Sequence, residues 1–189
     1  MKKFLALILA IVLTACGGGG DIGTGALTAE KLGRVPGPGG CGVENAYRVT
    51  QAGGIQLSQP ATLSREAAQR LDAWLRKHAI PTIGRKGGGL VEIRVASHYA
   101  CRTRNSQPGA RLSEHAKGNA IDISAFILAD GTRLSVLEDW NGRNGRLMQR
   151  LHASACGPFG TVLGPNSDRH HRDHFHFDIA NHRSGAYCR

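Results

Sequence analysis

Two short segments of the 189-residue chain carry the side chains best suited to chemistry. The first runs from Ser113 to Asp122 and contains His115, Gly118 and Asp122 in the pattern HxxGxAxD. Gly118 indicates a turn, after which Asp122 lies on a strand between two isoleucines, so strand alternation directs its carboxylate away from the core. A carboxylate at mid-strand is costly unless a positive partner meets it. A metal ion held by Asp122 and by His115, across the turn, would be such a partner.

The second segment is the histidine-rich stretch HHRDHFHFD at residues 170–178. On a predicted strand, His174 and His176 share one face, about 7 Å apart, while the two phenylalanines of the stretch point to the core. These imidazoles would supply one metal ligand and one neighbour that acts on a substrate. The alternative is a solvated loop with histidines packed singly, and we expect His170 and His171 to lie on such a loop surface.

The elements that must position these residues follow from apolar periodicity. A helical stripe begins at Thr62 or Ser64 and ends near His78, and a second helix is predicted over residues 146–155. Strands are predicted over residues 90–96, 120–128, 132–136, 161–163 and 174–179, with a hairpin turn at Asp130-Gly131 and a polar loop over residues 164–172. Helices followed mostly by hairpin-connected strands indicate an α+β fold, a small antiparallel sheet flanked by helices.

Composition narrows the class of protein without defining its chemistry. Hydrophobic residues make up 41% of the chain and charged residues 20%, so most of it is expected to fold around a core. The aromatic share of 5% is too small for a protein that binds single-stranded nucleic acid by stacking. A formal net charge of +10 attracts polyanions such as nucleic acid, acidic lipid headgroups or the carboxylates of cell-wall polymers. The same charge also suits mere solubility, so it does not discriminate among these partners.

The amino-terminal residues predict export. Two lysines precede the apolar run Phe4–Leu13, which is shorter than the roughly 20 residues of a membrane-spanning helix but suits the core of a signal peptide. The run ends in LTAC at residues 13–16, which resembles a bacterial lipobox, a signal in which the cysteine becomes the first mature residue and carries a lipid. The alternative is an ordinary secretory signal in which Cys16 is a bystander.

The export signal and the composition divide the chain into three parts. We expect a lipoprotein signal peptide over residues 1–15, a lipidated Cys16 with a Gly- and Pro-rich tether over residues 16–40, and one domain over residues 41–189. The expected location is the bacterial cell envelope, where the lipid anchors the protein to a membrane, on the periplasmic side in a Gram-negative cell.

Four cysteines remain once Cys16 is assigned to the lipid. An even number in an oxidising compartment predicts two disulfides, and none of the four has the CxxC spacing of a thiolate zinc site. Of the three possible connectivities we favour Cys41–Cys101 with Cys156–Cys188, because this pairing ties both ends of the domain to interior elements.

Together, the two segments resemble a group of zinc metallopeptidases that includes D-Ala-D-Ala carboxypeptidases, VanX-type dipeptidases, murein endopeptidases and the hedgehog signalling domain. The shared pattern is SxHxxGxAxD followed by a closing HxH or ExxH. The resemblance implies one Zn²⁺ per chain, with His115, Asp122 and His176 as its ligands. It also implies that Asp173, three residues before the last ligand, is the catalytic carboxylate, and His174 is the other residue that could carry the proton.

Two further residues match this group. Ser113 is the leading serine of the motif, and Arg102 ends the segment SHYACR at 97–102, which is similar to the group's S-x-Y-R segment. The resemblance implies that both residues bind substrate, and that Arg102 holds a substrate carboxylate or a developing oxyanion.

A closer resemblance rests on seven segments: CGV at 41–43, YACR at 99–102, SEH at 113–115, GNAID at 118–122, LGP at 163–165, HFH at 174–176 and YCR at 187–189. It covers nearly all of residues 41–189 and is to the bacterial extensin-like C-terminal domain family.

These resemblances imply a lipid-anchored, zinc-dependent peptidase that acts on peptidoglycan stem peptides or their cross-links, as a carboxypeptidase or an endopeptidase. Two imidazoles and one carboxylate leave zinc a fourth position for water, and Asp173 would take the proton of that water. The alternatives are a non-catalytic cell-wall binding module that retains a structural metal and a zinc nuclease. The ligand set fits a nuclease less well, and we expect no specific nucleic-acid partner.

Overall fold

The computed structural model describes residues 26–189, so the predicted signal peptide over residues 1–15 and Cys16 lie outside the described residues. Among the described residues, nine strands form one sheet in the order β1-β2-β3-β4-β5-β8-β7-β9, with β6 alongside β5. The strands are β1 (Thr28–Pro36), β2 (Gly42–Ala52), β3 (Ile55–Ser64), β4 (Leu90–Ser97), β5 (Ala120–Leu128), β6 (Arg133–Ser135), β7 (Thr161–Leu163), β8 (Phe175–Asp178) and β9 (Tyr187–Cys188). The helices are α1 (Arg65–Trp74), α2 (Ile80–Ile83), α3 (Val136–Asp139) and α4 (Gly145–Ala155). Within residues 26–189, none of these helices is long and apolar enough to cross a membrane.

The predicted fold class is wrong. The protein is mostly β, with one large mixed sheet and a few short helices, and not a small antiparallel sheet flanked by helices. Strands β1 to β3 come from residues 28–64, which the sequence analysis had assigned to the tether or left without strands. Two neighbour pairs, β3 with β4 and β7 with β9, are parallel. The first of these follows from the helical connection over residues 65–83, because a helical crossover returns the chain parallel to the strand it left.

The tether prediction fails for residues 28–36, because they form strand β1 and pair antiparallel with β2. Irregularities in this pairing interrupt the alternation of side chains, and every residue of β1 is at least partly exposed. A strand with a bulge loses the two-residue period by which a sequence reveals it. The connection from β2 to β3 is a tight turn at Gly53 and Gly54, both with positive φ.

The first predicted helix is confirmed in position and extended in length. The hydroxyl of Ser64 accepts a hydrogen bond from the backbone of Ala67 and so caps α1 at its amino end. The helical path continues through a π-helical turn over residues 75–79 and past Pro81, rather than ending near His78. A wider turn accommodates a proline, which offers no N–H to the helical ladder.

The later elements largely agree with the prediction. Strands β5 and β7 have the predicted bounds, and β4, β6, β8 and α4 differ from theirs by one residue at an end or at both ends. Each of these segments has a regular apolar pattern that packs against the core, so local periodicity was enough to find it.

The core packs against the face of the sheet from which β5 and β8 project their apolar side chains. Trp74 of α1 lies edge-on to Phe177, with ring centroids 5.0 Å apart, and its indole N–H donates to Ser154 of α4 at 3.1 Å. Phe126 and Phe175 are fully buried in the same cluster. Because alternate residues of a strand point to opposite faces, β5 and β8 also project side chains away from this core.

Both predicted disulfides are present. Cys41–Cys101 joins the β1–β2 connection to the loop that follows β4, and Cys156–Cys188 joins the end of α4 to β9. The first cross-link is one residue from Arg102, so it restrains the loop that carries this residue.

Candidate metal centre

Strand register brings two of the predicted ligands together. Asp122 on β5 and His176 on β8 are directly opposite each other in an antiparallel pair. Ile121 and Phe175, their neighbours along the chain, are buried in the core, so Asp122 and His176 project from the other face of the sheet. His176 Nδ1 lies 2.9 Å from Asp122 Oδ1.

A short helical turn over residues 114–117 delivers the third predicted ligand, His115. Ser113 caps this turn, because its hydroxyl accepts the backbone N–H of His115 at 3.3 Å. Gly118 ends it in the left-handed conformation, at φ 66°, and a Cβ there would lie 2.8 Å from a methyl carbon of Val43. The glycine of HxxGxAxD is therefore required by both the turn and the packing. Ser113 is buried and lines the cavity described below, but its observed contact is this cap.

The three side chains converge on one point. His115 Nε2 lies 3.1 Å from Asp122 Oδ1 and 3.1 Å from His176 Nδ1, and all three residues are buried. In the described part of the chain they form the one group of three or more potential ligands found, with ligand atoms within 4.8 Å of one another. The ligands of a tetrahedral zinc ion with bonds of about 2.0 Å lie about 3.3 Å apart, so these separations are close to what zinc requires.

Hydrogen bonds on the far side of each imidazole determine which nitrogen faces this point. His115 Nδ1 donates to the carbonyl oxygen of His98 at 2.7 Å, and His176 Nε2 donates to the carboxylate of Asp178 at 3.0 Å. The opposite nitrogens, His115 Nε2 and His176 Nδ1, then carry lone pairs when the rings are neutral. Two imidazole lone pairs and a carboxylate then face one point, and none of the three groups directs an N–H or O–H at it. Such a set of electron-pair donors suits a metal ion.

A proton competes for the same point. Burial lowers the pKa of His176, but its hydrogen bonds to Asp122 and Asp178 outweigh burial and raise the pKa to about 9. Burial raises the pKa of Asp122, but hydrogen bonds with His115 and His176 outweigh it and hold this pKa well below its ordinary value. Without a metal at neutral pH, the cluster therefore holds a proton on His176, and a metal ion has to displace it.

A cavity of about 350 Å³ opens above the cluster. Arg102, His174 and His176 line it, together with residues of the 103–106 loop. The Arg102 guanidinium lies 3.9 Å from Asp122 Oδ2, and its side chain remains 31% exposed, so it is available to an anionic group in the cavity. Two consecutive residues of the neighbouring loop, Asn105 and Ser106, adopt positive φ, a strained backbone that occurs often beside functional sites.

His174 and Asp173 occupy different positions relative to the cluster. His174 lines the cavity, and its Nε2 lies 3.7 Å from Asp122 Oδ2. Its Nδ1 donates to Asp173 Oδ1 at 2.8 Å, while the Asp173 side chain is 68% exposed and does not line the cavity. The structure therefore brings His174 to the site and places Asp173 behind it.

His171 contradicts the prediction that it lies on a loop surface. Its side chain is buried and lines the cavity, with its ring centroid 5.2 Å from that of His174, and its Nδ1 donates to Asp168 Oδ1 at 2.8 Å. Burial lowers the pKa of His171, and the hydrogen bond to Asp168 opposes this only in part.

Sequence reasoning also missed Asp178, two residues after the ligand His176. The spacings DxxH at 168–171 and HxD at 176–178 were the available signals.

The chain matches the family described as extensin-like protein C-terminus over residues 20–189, and it belongs to that family. Neither the search of curated proteins nor the search of solved structures gave a match.

Proposed function

We propose that this extensin-like family member is a zinc-dependent peptidase of the bacterial cell envelope, a carboxypeptidase or endopeptidase that acts on peptidoglycan stem peptides or cross-links. The observation that carries the proposal is the convergence of His115, Asp122 and His176 beside a cavity that His176 lines, with the outer nitrogen of each imidazole hydrogen-bonded to an acceptor. The likeness of the SxHxxGxAxD and HxH motifs to those of zinc peptidases supports it.

His115, Asp122 and His176 would hold the zinc ion. Bound zinc supplies Lewis-acid polarisation of a carbonyl and lowers the pKa of water, which is the chemistry that amide hydrolysis needs. The two outer acceptors, the His98 carbonyl and the Asp178 carboxylate, keep the ligand imidazoles oriented.

His174 is the proton carrier in this proposal. Its Nε2 faces the metal cluster, and its Nδ1–H is held by Asp173, so Nε2 has the free lone pair that accepts a proton from water. The same nitrogen then donates this proton to the leaving amine. This assigns to His174 the role that the resemblance had given to Asp173, and it makes Asp173 a positioning residue.

Arg102 supplies the binding group for a negative charge. Its guanidinium lies at the cavity wall beside Asp122, and a partly exposed arginine there binds a substrate carboxylate or a developing oxyanion. Stem peptides of peptidoglycan carry such carboxylates next to their scissile amides.

The envelope location is part of the proposal. Two disulfides are typical of proteins that fold outside the cytoplasm, and the lipobox-like residues 13–16 indicate a lipid on Cys16. A lipid anchor would hold the domain at the membrane that faces the cell wall.

The test is digestion of purified muropeptides by zinc-loaded protein, with zinc content measured for each variant. His174→Ala should keep zinc and lose about 10²–10⁴-fold in turnover, whereas His176→Ala should lose zinc and activity together. Asp173→Asn should keep zinc and lose far less than His174→Ala, with a shifted pH profile, and the exposed Asp130→Asn serves as its control.

Two results would contradict this account. If the zinc-loaded wild type releases no amino acid or peptide from any muropeptide, the protein is a binding module rather than a peptidase. If Asp173→Asn is inactive while His174→Ala is near wild type, Asp173 is the proton carrier.

A further inference from the structure

A second, larger groove adjoins the metal cavity. It has a volume of about 1120 Å³ and shares Arg104, Glu114 and His182 with the metal cavity, so the two spaces are adjacent. Its walls come from the β1–β2 connection, the start of α1 and the turn over residues 114–117.

Cationic side chains dominate this groove. Arg65, Arg104, Arg111 and Lys117 line it, and among residues 26–189 no carboxylate lies within 4.0 Å of any of their charged groups. Its acidic side chains are already engaged: Glu44 pairs with Arg34 at 3.3 Å, Glu66 with Arg70 at 2.7 Å, and Glu114 accepts from the Asn119 amide at 2.9 Å. Four cations without a paired carboxylate thus outnumber Glu114, which keeps its charge because an amide does not neutralise it. The groove therefore keeps a net positive charge that attracts a polyanion.

Glycines in the connection between β1 and β2 let this wall of the groove pack closely against the rest of the protein. The wall contains Gly37, Gly39 and Gly40. A Cβ at Gly40 would lie 2.9 Å from Leu112, and one at Gly37 would lie 2.5 Å from the Tyr99 hydroxyl, so these two positions exclude larger residues. The Cys41–Cys101 disulfide fixes this glycine-rich connection against the loop that carries Arg102.

We propose that this groove binds a carboxylate-bearing stretch of peptidoglycan next to the bond being cleaved, and so holds the polymer in the metal cavity. The inference rests on the proposed function for the identity of the polymer. Arg104 sets the direction, because it is one of the four cations and also lines the metal cavity, so a polymer bound along these cations lies beside that cavity. Long, cross-linked substrates therefore gain affinity from the groove, and short muropeptides do not.

The experiment measures binding separately from cleavage. Chelator-treated, zinc-free protein is sedimented with purified peptidoglycan sacculi, as wild type and as the double variant Arg65→Gln/Lys117→Gln, which changes two residues that do not line the metal cavity. We expect the double variant to bind about 5–10-fold more weakly, and we expect wild-type binding to weaken as ionic strength rises. The control is Arg143→Gln/Arg150→Gln, which removes the same charge from exposed residues outside the groove.

Zinc-loaded enzyme gives the second readout. The groove variant should raise KM for sacculi by a similar factor and leave the hydrolysis of short muropeptides unchanged. Equal losses of binding in groove and control variants, or none in the groove variant, would overturn the proposal. So would a duplex oligonucleotide that binds as tightly as sacculi and is released by the same groove variant. If the zinc-loaded protein cleaves nothing but its binding to sacculi still depends on the groove residues, the proposed peptidase activity is refuted and the proposed binding groove stands.

Discussion

Replacing Asp178 by asparagine should weaken zinc binding by about 10–100-fold, although Asp178 is not a ligand. Asp178 Oδ2 accepts the Nε2–H of His176 at 3.0 Å, and its Oδ1 accepts the backbone N–H of Ala180 at 2.9 Å. Asparagine has one oxygen for these two donors. If the NH2 group of the amide faces the Ala180 N–H, that N–H loses its acceptor. If the NH2 group faces His176, the ring must move its proton to Nδ1, the nitrogen that binds the metal.

The expected size follows from the bond that is lost. A hydrogen bond to a charged group contributes about 1.5–3 kcal/mol, and about 1.4 kcal/mol corresponds to a factor of ten in affinity. Near pH 7 part of the loss in zinc affinity is hidden. Asp178 also helps to hold the proton that zinc must displace from His176, so the variant weakens this competing proton as well. At about pH 9.5, above the His176 pKa of about 9, this competition is small and the full loss should appear.

The assay is zinc competition against a chromophoric chelator at both pH values, with far-UV circular dichroism to show that the variant is folded. Asp168→Asn is the matched control, because Asp168 Oδ1 accepts hydrogen bonds from His170 N and His171 Nδ1, and neither of these residues is a proposed ligand. Wild-type zinc affinity of Asp178→Asn at about pH 9.5, or an equal loss in the Asp168→Asn control, would refute the reasoning.

The stability of the metal-free protein should fall as pH rises. The folded pKa of His176 is raised to about 9 from 6.5, so the protonated form contributes stability below about pH 6.5, and this is lost as pH rises through 9. Urea unfolding with chelator should show that the free energy of unfolding decreases by about 3 kcal/mol between these pH values, and His176→Ala should lack this pH dependence. A wild-type free energy of unfolding that does not change with pH would contradict the proton network. Cys16→Ser should release the protein from membranes into the soluble fraction, as measured by fractionation and immunoblotting. Membrane retention of that variant at wild-type level, resistant to high salt, would exclude a lipid on Cys16.

Local patterns in the sequence determined part of the fold and most of the metal cluster. The alternation of Ile121, Asp122 and Ile123 assigned the carboxylate to the face away from the core. The HxH spacing placed His174, which directly precedes β8, and His176 of β8 on the same side, where both line the cavity. Strands β5 and β7 were predicted with their observed bounds for the same reason, because a regular two-residue period is a property of neighbouring residues.

The large sheet could not be predicted in this way. Strand β1 has no buried residue, and irregular pairing interrupts both the β1–β2 and the β2–β3 ladders, so residues 28–52 show no clean alternation. The strand character of β1 and β2 comes from backbone hydrogen bonds to partners elsewhere in the chain, and such bonds leave little trace in the residue types. Strand β3 does alternate, with Ile55, Leu57, Ala61 and Leu63 buried, and this signal was missed.

Roles within the site also depended on the tertiary structure. The sequence contains both Asp173 and His174, but only the packing of the 164–174 loop directs His174 into the cavity and leaves Asp173 exposed. The buried partners Asp178 and His171 were missed for the same reason. A residue type and its spacing determine what a side chain can do chemically. Contacts with residues far away in the chain depend instead on strand register and loop path. Register and loop path therefore determine which of the chemically suitable side chains reaches the metal centre.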